Sequence, residues 1–279
     1  VGHYEVTDST RLSAELYFTR VNTNTIGSAN AASSGTDVGL PGETFDIGSI
    51  SSSHPFIPAE VEETRSGTVS WVRRFSEVGV DNKSNQRDTL RSAIVLDGTF
   101  DNGWAWNSFV SFGRFTQDQH HYNEINKRKI HYALNIESDG SGGYQCKDAD
   151  ARADGCIPLN IFGEGSITPA MADYIRANGH LTQNREQYVA GASANGDLFE
   201  LASGAVKAAI GVEYRKETQK TVGDKDALAG DTTTSIIPDI DASFDVIEAY
   251  TEIDVPVTDT VSMQLAGRAG EYSTIGTIF

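Results

Sequence analysis

Two adjacent histidines, His120 and His121, are the first residues whose types could bind a metal or move a proton. Neighbouring side chains of a strand point to opposite faces, which argues against joint ligation of one ion. Asp148, Asp150 and Asp154 have a spacing like that of a calcium loop. Ala153, however, stands where such a loop needs glycine, and no chelating Glu follows. Asp239, Asp241 and Asp245 read in the same way, as solvated acidic loops. Gly163-Glu164-Gly165-Ser166 lacks the glycine that a nucleophile elbow places two residues after the serine. No glycine-rich phosphate loop is present. The expectation is therefore a chain with no catalytic residues, no metal and no cofactor.

Cys146 and Cys156 are the only cysteines, ten positions apart in a polar stretch. Two thiols are too few for a structural zinc site, and their spacing suits a short disulfide-closed loop in an oxidising compartment. The expectation is a Cys146–Cys156 disulfide and a location outside the cytoplasm.

The more informative charges lie in segments of alternating character. Within AVKAAIGVEYR, residues 205–215, Val206, Ala208, Ile210, Val212 and Tyr214 share one face, while Lys207, Gly211, Glu213 and Arg215 share the other. Glu248 and Glu252 flank Tyr250, and Arg268 interrupts a neutral face opposite Val261, Met263 and Leu265. Leu12, Ala14, Leu16 and Phe18, then Leu90, Ile94 and Leu96, then Trp104, Trp106, Val110 and Phe112, repeat the pattern. Segments 67–75, 187–194 and 244–255 fit less cleanly. A period of two belongs to strands. On a soluble sheet the charged face meets solvent; in a wide barrel it lines a wet or plugged lumen.

The elements that carry these residues are joined unequally. Turns around 7–10, 101–103, 202–204 and 256–260 are short, whereas 22–66, 116–186 and 218–242 are long and polar. Soluble sandwiches rarely hold several structureless connections of that length. Outer-membrane barrels combine short periplasmic turns with long extracellular loops. Tyr17/Phe18 and Trp104/Trp106 fit an interfacial girdle. Inside the second long loop, Thr168 as N-cap, Pro169 at the first helical position and Gly179 at C′ predict one surface helix, outside any core.

Among 279 residues, 22 Lys+Arg face 39 Asp+Glu, a net charge of −17 that argues against nucleic acid. Mean hydropathy is −0.34 and no apolar run reaches eighteen residues, so no transmembrane helix is expected. That says nothing against membrane strands. The chain opens on Val1-Gly2-His3-Tyr4 and closes on Ile278-Phe279, and both ends read as cut from something longer.

Four stretches in order, CIPLNIFGEGSITPAMADYI (156–175), GDLFELASGAVKAAIGVEYRKE (196–217), DVIEAYTEIDVPV (245–257) and LAGRAGEYSTIG (265–276), resemble the barrel of TonB-dependent outer-membrane receptors. WVRRFSEVG (71–79), LDGTFDNGWAWN (96–107) and HPFIP (54–58) fit the same order. The likeness is to the proteobacterial branch with a loop disulfide ahead of a C-PLN-FG segment, and it departs from that pattern at Ser203, where proline is usual.

The resemblance implies an all-β fold: antiparallel transmembrane strands of a partial 22-stranded barrel, with long extracellular loops and one short loop helix. It implies residues 1–279 as a middle portion, with the plug domain and TonB box outside the chain. Glu213, Arg215, Glu248, Glu252 and Arg268 would face the lumen and plug. The implied function is nutrient uptake across the bacterial outer membrane (siderophore, cobalamin or glycan), energised by the TonB complex. The partners would be that complex, a small-molecule or oligosaccharide substrate, and outer-membrane lipid. The alternative is a secreted β-rich binding or adhesion module for a glycan or surface partner.

Overall fold

A computed structural model of the chain describes residues 1–42, 44–62 and 67–279. Residues 43 and 63–66, within the expected 22–66 loop, lie outside the described residues. The fold is mostly β and antiparallel. One sheet holds nine strands in chain order: β1 Gly2–Thr7, β2 Thr10–Ala29, β3 Val80–Thr99, β4 Ala105–Ile125, β5 Arg176–Leu201, β6 Gly204–Val222, β7 Ile240–Thr258, β8 Val261–Tyr272 and β9 Gly276–Ile278. Every strand pairs with its chain neighbours, so the topology is a meander. The sheet is open: β1 and β9 form its edges and do not pair with each other.

The register shows why alternation was legible. Leu12↔Leu96, Ala14↔Ile94, Ile94↔Val110, Val110↔Ala190, Ala192↔Val212, Val212↔Ala249 and Ile253↔Leu265 sit side by side on one face. The other face carries Arg11↔Asp97, Asp97↔Asn107, Gln117↔Gln183, Lys207↔Asp254 and Asp254↔Gln264.

Connections alternate strictly by end. Turns 8–9, 100–104, 202–203 and 259–260 close one end. Segments 30–79, 126–175 and 223–239, with the short turn 273–275, occupy the other. The strands run further than their alternating cores, so the second and third long segments are shorter than 116–186 and 218–242, while the first is displaced from 22–66 to 30–79. Residues 22–29 belong to β2, 116–125 to β4, 176–186 to β5, 218–222 to β6 and 240–242 to β7.

These segments are not structureless. Among the described residues they carry five helices rather than one: α1 Ala59–Glu62, α2 Lys127–Leu134, α3 Ala149–Ala153, α4 Pro169–Ile175 and α5 Lys225–Leu228. Short strand pairs join 31–33 to 72–74, 50–51 to 68–69 and 136–138 to 144–146. Segment 67–75 therefore lies outside the main sheet. α4 starts as its N-cap Thr168 and Pro169 indicate. It ends at Ile175 rather than before Gly179, because from Arg176 the chain pairs with β4 and Gly179 faces His121. Ala172 and Ile175 are buried, so this helix belongs to a core after all.

That core draws on two segments far apart in sequence. Val38, Ile47, Ile50, Trp71, Phe75 and Val78 from the first pack with Ile130, Ala133, Leu159, Ile161, Ala172 and Ile175 from the second. Buried apolar contact of this extent supplies what short strands and helices cannot supply alone. The Cys146–Cys156 disulfide is formed and closes the turn containing α3.

Candidate functional site

The five charged residues read from the sequence all lie on the polar face of β6, β7 and β8. Glu213 pairs in register with Glu248, which pairs with Gly270; Gly211 pairs with Tyr250, which pairs with Arg268. Glu252 stands opposite Ala209 and Ala266, and Arg215 opposite Val246.

Two acidic groups directly opposite one another repel, so Glu213 and Glu248 need cations nearby. Arg268 meets Glu248 through two hydrogen bonds: Nε donates to Oε1 at 3.2 Å, and Nη2 donates to Oε2. Tyr272 Oη donates to the same Oε1 at 3.0 Å. Gly270 leaves room for this approach, since a Cβ there would lie 3.0 Å from Glu248 Cγ and 3.1 Å from Tyr272 Cε2. Arg215 lies 3.6 Å from Glu217, and Glu252 accepts from the Gln264 amide. The Tyr250 ring covers Gly211, where a Cβ would fall 2.4 Å from Cζ. The structure thus joins Glu248 to Arg268, and leaves Glu213, Arg215 and Glu252 as neighbours on the same face. Tyr250, Gln264 and Tyr272 complete the lattice; counting by two from Glu248 and Arg268 reaches all three.

The second feature is the cap formed by the long segments. Its parts are locked together by main-chain and side-chain bonds between distant residues. His54 Nε2 donates to the Leu134 carbonyl at 3.1 Å while its Nδ1 accepts from the Phe56 N–H at 3.2 Å. His131 Nδ1 meets the Ile47 carbonyl at 2.9 Å, and Trp71 Nε1 donates to the Gly48 carbonyl at 3.1 Å. Arg73 donates to the carbonyls of Ile161 (2.6 Å) and Gly163 (2.9 Å) and pairs with Glu77. The third segment joins through Arg128 Nε, which donates to Asp231 at 2.8 Å, and through the Gly39 N–H, which donates to the Gly230 carbonyl at 3.2 Å.

Charges in the cap respond to burial. His54 is held below its ordinary range by loss of water, against the opposing pull of the Leu134 carbonyl. Burial also lowers the Lys127 ammonium, with Asp231 and Asp37 resisting. Tyr174 is pushed up to about 12, by burial first and then by Asp154. Two of the acidic residues considered for calcium hold backbone instead: Asp148 caps α3 by accepting from the Ala151 N–H at 2.8 Å, and Asp239 accepts from the Gly223 N–H just past β6 at 2.7 Å.

His120 and His121 do point to opposite faces. His121 is buried beside Glu124, while His120 lies opposite His180 of β5 in register. That cross-strand partner could have been found only by knowing the register.

No helix among the described residues is long and apolar enough to cross a membrane, a statement that does not bear on strands. No family model matches the chain, and no curated protein matches its sequence.

Proposed function

We propose that the chain is a portion of the barrel of a TonB-dependent outer-membrane receptor, taking part in uptake of a scarce nutrient. The observation that carries this reading is the exposed apolar face of the sheet. Leu16 (72%), Phe18 (58%), Val110 (53%), Val212 (52%) and Met263 (47%) are open to the surroundings although each is large and apolar. Soluble proteins rarely leave so broad an apolar patch uncovered. Among the described residues no second sheet covers it, as a secreted sandwich would require.

The band has edges. Leu12 to Phe18 and Trp104 to Phe112 span about 20 and 26 Å along their strands; at a tilt of about 40° they cover about 15 and 20 Å of the roughly 25 Å apolar belt of outer-membrane barrels. Above Phe18, Arg20 donates bidentately to Asp88 at 2.7 and 2.8 Å, on the same face. Trp104 and Trp106 mark the short-turn end, as interfacial aromatics do. The sheet stays open at β1 and β9, so on this reading further strands from outside these residues complete a 22-stranded barrel. On this reading the Glu248–Arg268 face lines the lumen toward a plug domain supplied from outside these residues, and the interlocked cap forms part of the outer vestibule where substrate is caught. Uptake is then a rearrangement of protein under energy from the TonB complex, with no chemistry on the substrate.

Intact-mass measurement and N-terminal sequencing of the native protein in outer-membrane fractions test the proposal. A mass far above 30.1 kDa with these residues internal is expected. A soluble protein of that mass would favour the secreted binding module.

A further inference from the structure

The face that carries the apolar band continues beyond it along β4 and β5, and there it gathers three groups with metal-binding atoms. Asp118, His120 and His180 place one ligand atom each within 4.8 Å of the others. Asp118 Oδ1 lies 3.1 Å from His120 Nε2 and 2.8 Å from His180 Nε2. A tetrahedral ion with bonds of about 2.0–2.1 Å sets its ligand atoms about 3.3 Å apart. The two Asp118 separations are hydrogen-bond distances, about 0.2 and 0.5 Å short of that value, so an ion would take the place of the bond between His180 and Asp118 and open the trio slightly.

His120 and His180 are register partners, their centroids 4.3 Å apart and their planes 1° from parallel. Parallel planes do not converge on one point, so one imidazole turns out of the stack to let both Nε2 lone pairs meet the ion, while the paired backbone keeps the two rings within reach of each other. All three groups are at least partly open to water, so a cation can reach them and keep water in its remaining positions.

We propose that Asp118, His120 and His180 bind a late first-row divalent cation, Zn²⁺ in the first instance. Two imidazole nitrogens with one carboxylate oxygen suit Zn²⁺, Ni²⁺ or Cu²⁺ over Mg²⁺ or Ca²⁺, which prefer oxygen donors. Each imidazole would bind through Nε2 as the tautomer with its hydrogen on Nδ1. The site spans the two strands that enter and leave segment 126–175, and a bound ion cross-links them at the base of the cap. The proposal is independent of the transport reading.

The test uses purified protein carrying no histidine tag. Zn²⁺ titration by calorimetry is run on the unmodified chain and on His120→Ala, His180→Ala, Asp118→Asn and His3→Ala. Removing an outer-shell partner alone costs about 10–100-fold in affinity, so each of the two site histidine variants should weaken binding at least about tenfold. His3→Ala, on β1, should change nothing. Zn²⁺ should also shield His120 and His180 of the unmodified protein from diethyl pyrocarbonate while His3 continues to react. Binding that survives in both site histidine variants, or equal labelling of all three histidines with and without Zn²⁺, would overturn the proposal.

Discussion

The backbone of Gly230 rests against that of Gly39, and the Gly39 N–H donates to the Gly230 carbonyl over 3.2 Å. The two residues belong to the first and third long segments, so this contact helps make the cap a single body. A Cβ on Gly230 would fall 2.0 Å from the Gly39 carbonyl oxygen, and Gly230 holds φ at +73°. Neither the space nor the conformation suits an L side chain. Gly230→Ala should destabilise the cap by about 1–3 kcal/mol. Hydrogen exchange should show faster exchange in 30–79 and 223–239 with the sheet unchanged.

Acid should loosen the same body through His54. Its Nε2–H is spent on Leu134 and its Nδ1 lone pair on Phe56, so a second ring proton has no place. With the folded value below the ordinary 6.5, the unfolded chain binds the proton at higher pH than the folded chain. Stability is therefore complete above pH 6.5 and falls as pH drops from there through the folded value. Protease resistance of the cap, followed from pH 7.5 to 5, should decline across that window. His54→Gln should flatten the decline.

Opening the Cys146–Cys156 bridge should act locally. The bridge closes a loop of about ten residues around α3, for which chain entropy predicts roughly 2–3 kcal/mol. The Cys146→Ala/Cys156→Ala double variant should become cleavable within 136–156 while the remaining cap stays resistant to protease.

The two faces of β6 should respond oppositely to charge. Val212 lies on the apolar face and Glu213, its chain neighbour, on the polar face. Val212→Arg should cost about 2–4 kcal/mol if that face meets the bilayer midplane. Glu213→Gln should cost little and relieve repulsion with Glu248. Urea titrations of the protein folded into lipid vesicles compare the two.

Much of the sheet was legible because its middle obeys one rule. Val206 to Tyr214 alternate cleanly, so counting places Glu213 and Arg215 on one face, whereas grouping them with Glu248, Glu252 and Arg268 rests in the sequence on the family resemblance and in the structure on the register of β6, β7 and β8. The strand ends were hidden for a physical reason. Past Phe18 and Phe112 both faces are polar, as with Thr19, Arg20, Asn22 and Asn24, so periodicity vanishes while the hydrogen-bonded ladder continues. The cap leaves no periodic signal in the sequence because its core is scattered. Val38, Ile47, Trp71 and Ile161 sit singly among polar residues, and only tertiary contact assembles them. The Asp118, His120 and His180 cluster depends on register between residues 60 apart, which one sequence does not display.

The measurement closest to the central claim is fluorescence quenching by brominated phospholipids. Trp104 and Trp106 mark the edge of the apolar band, whereas Trp71 is buried in the cap and is replaced by Phe for the experiment. If the apolar face meets acyl chains, bromine on the lipid tails quenches the remaining emission strongly, and the protein stays folded only in lipid or detergent. Unquenched emission from a protein that is folded and monodisperse without detergent would contradict the membrane reading.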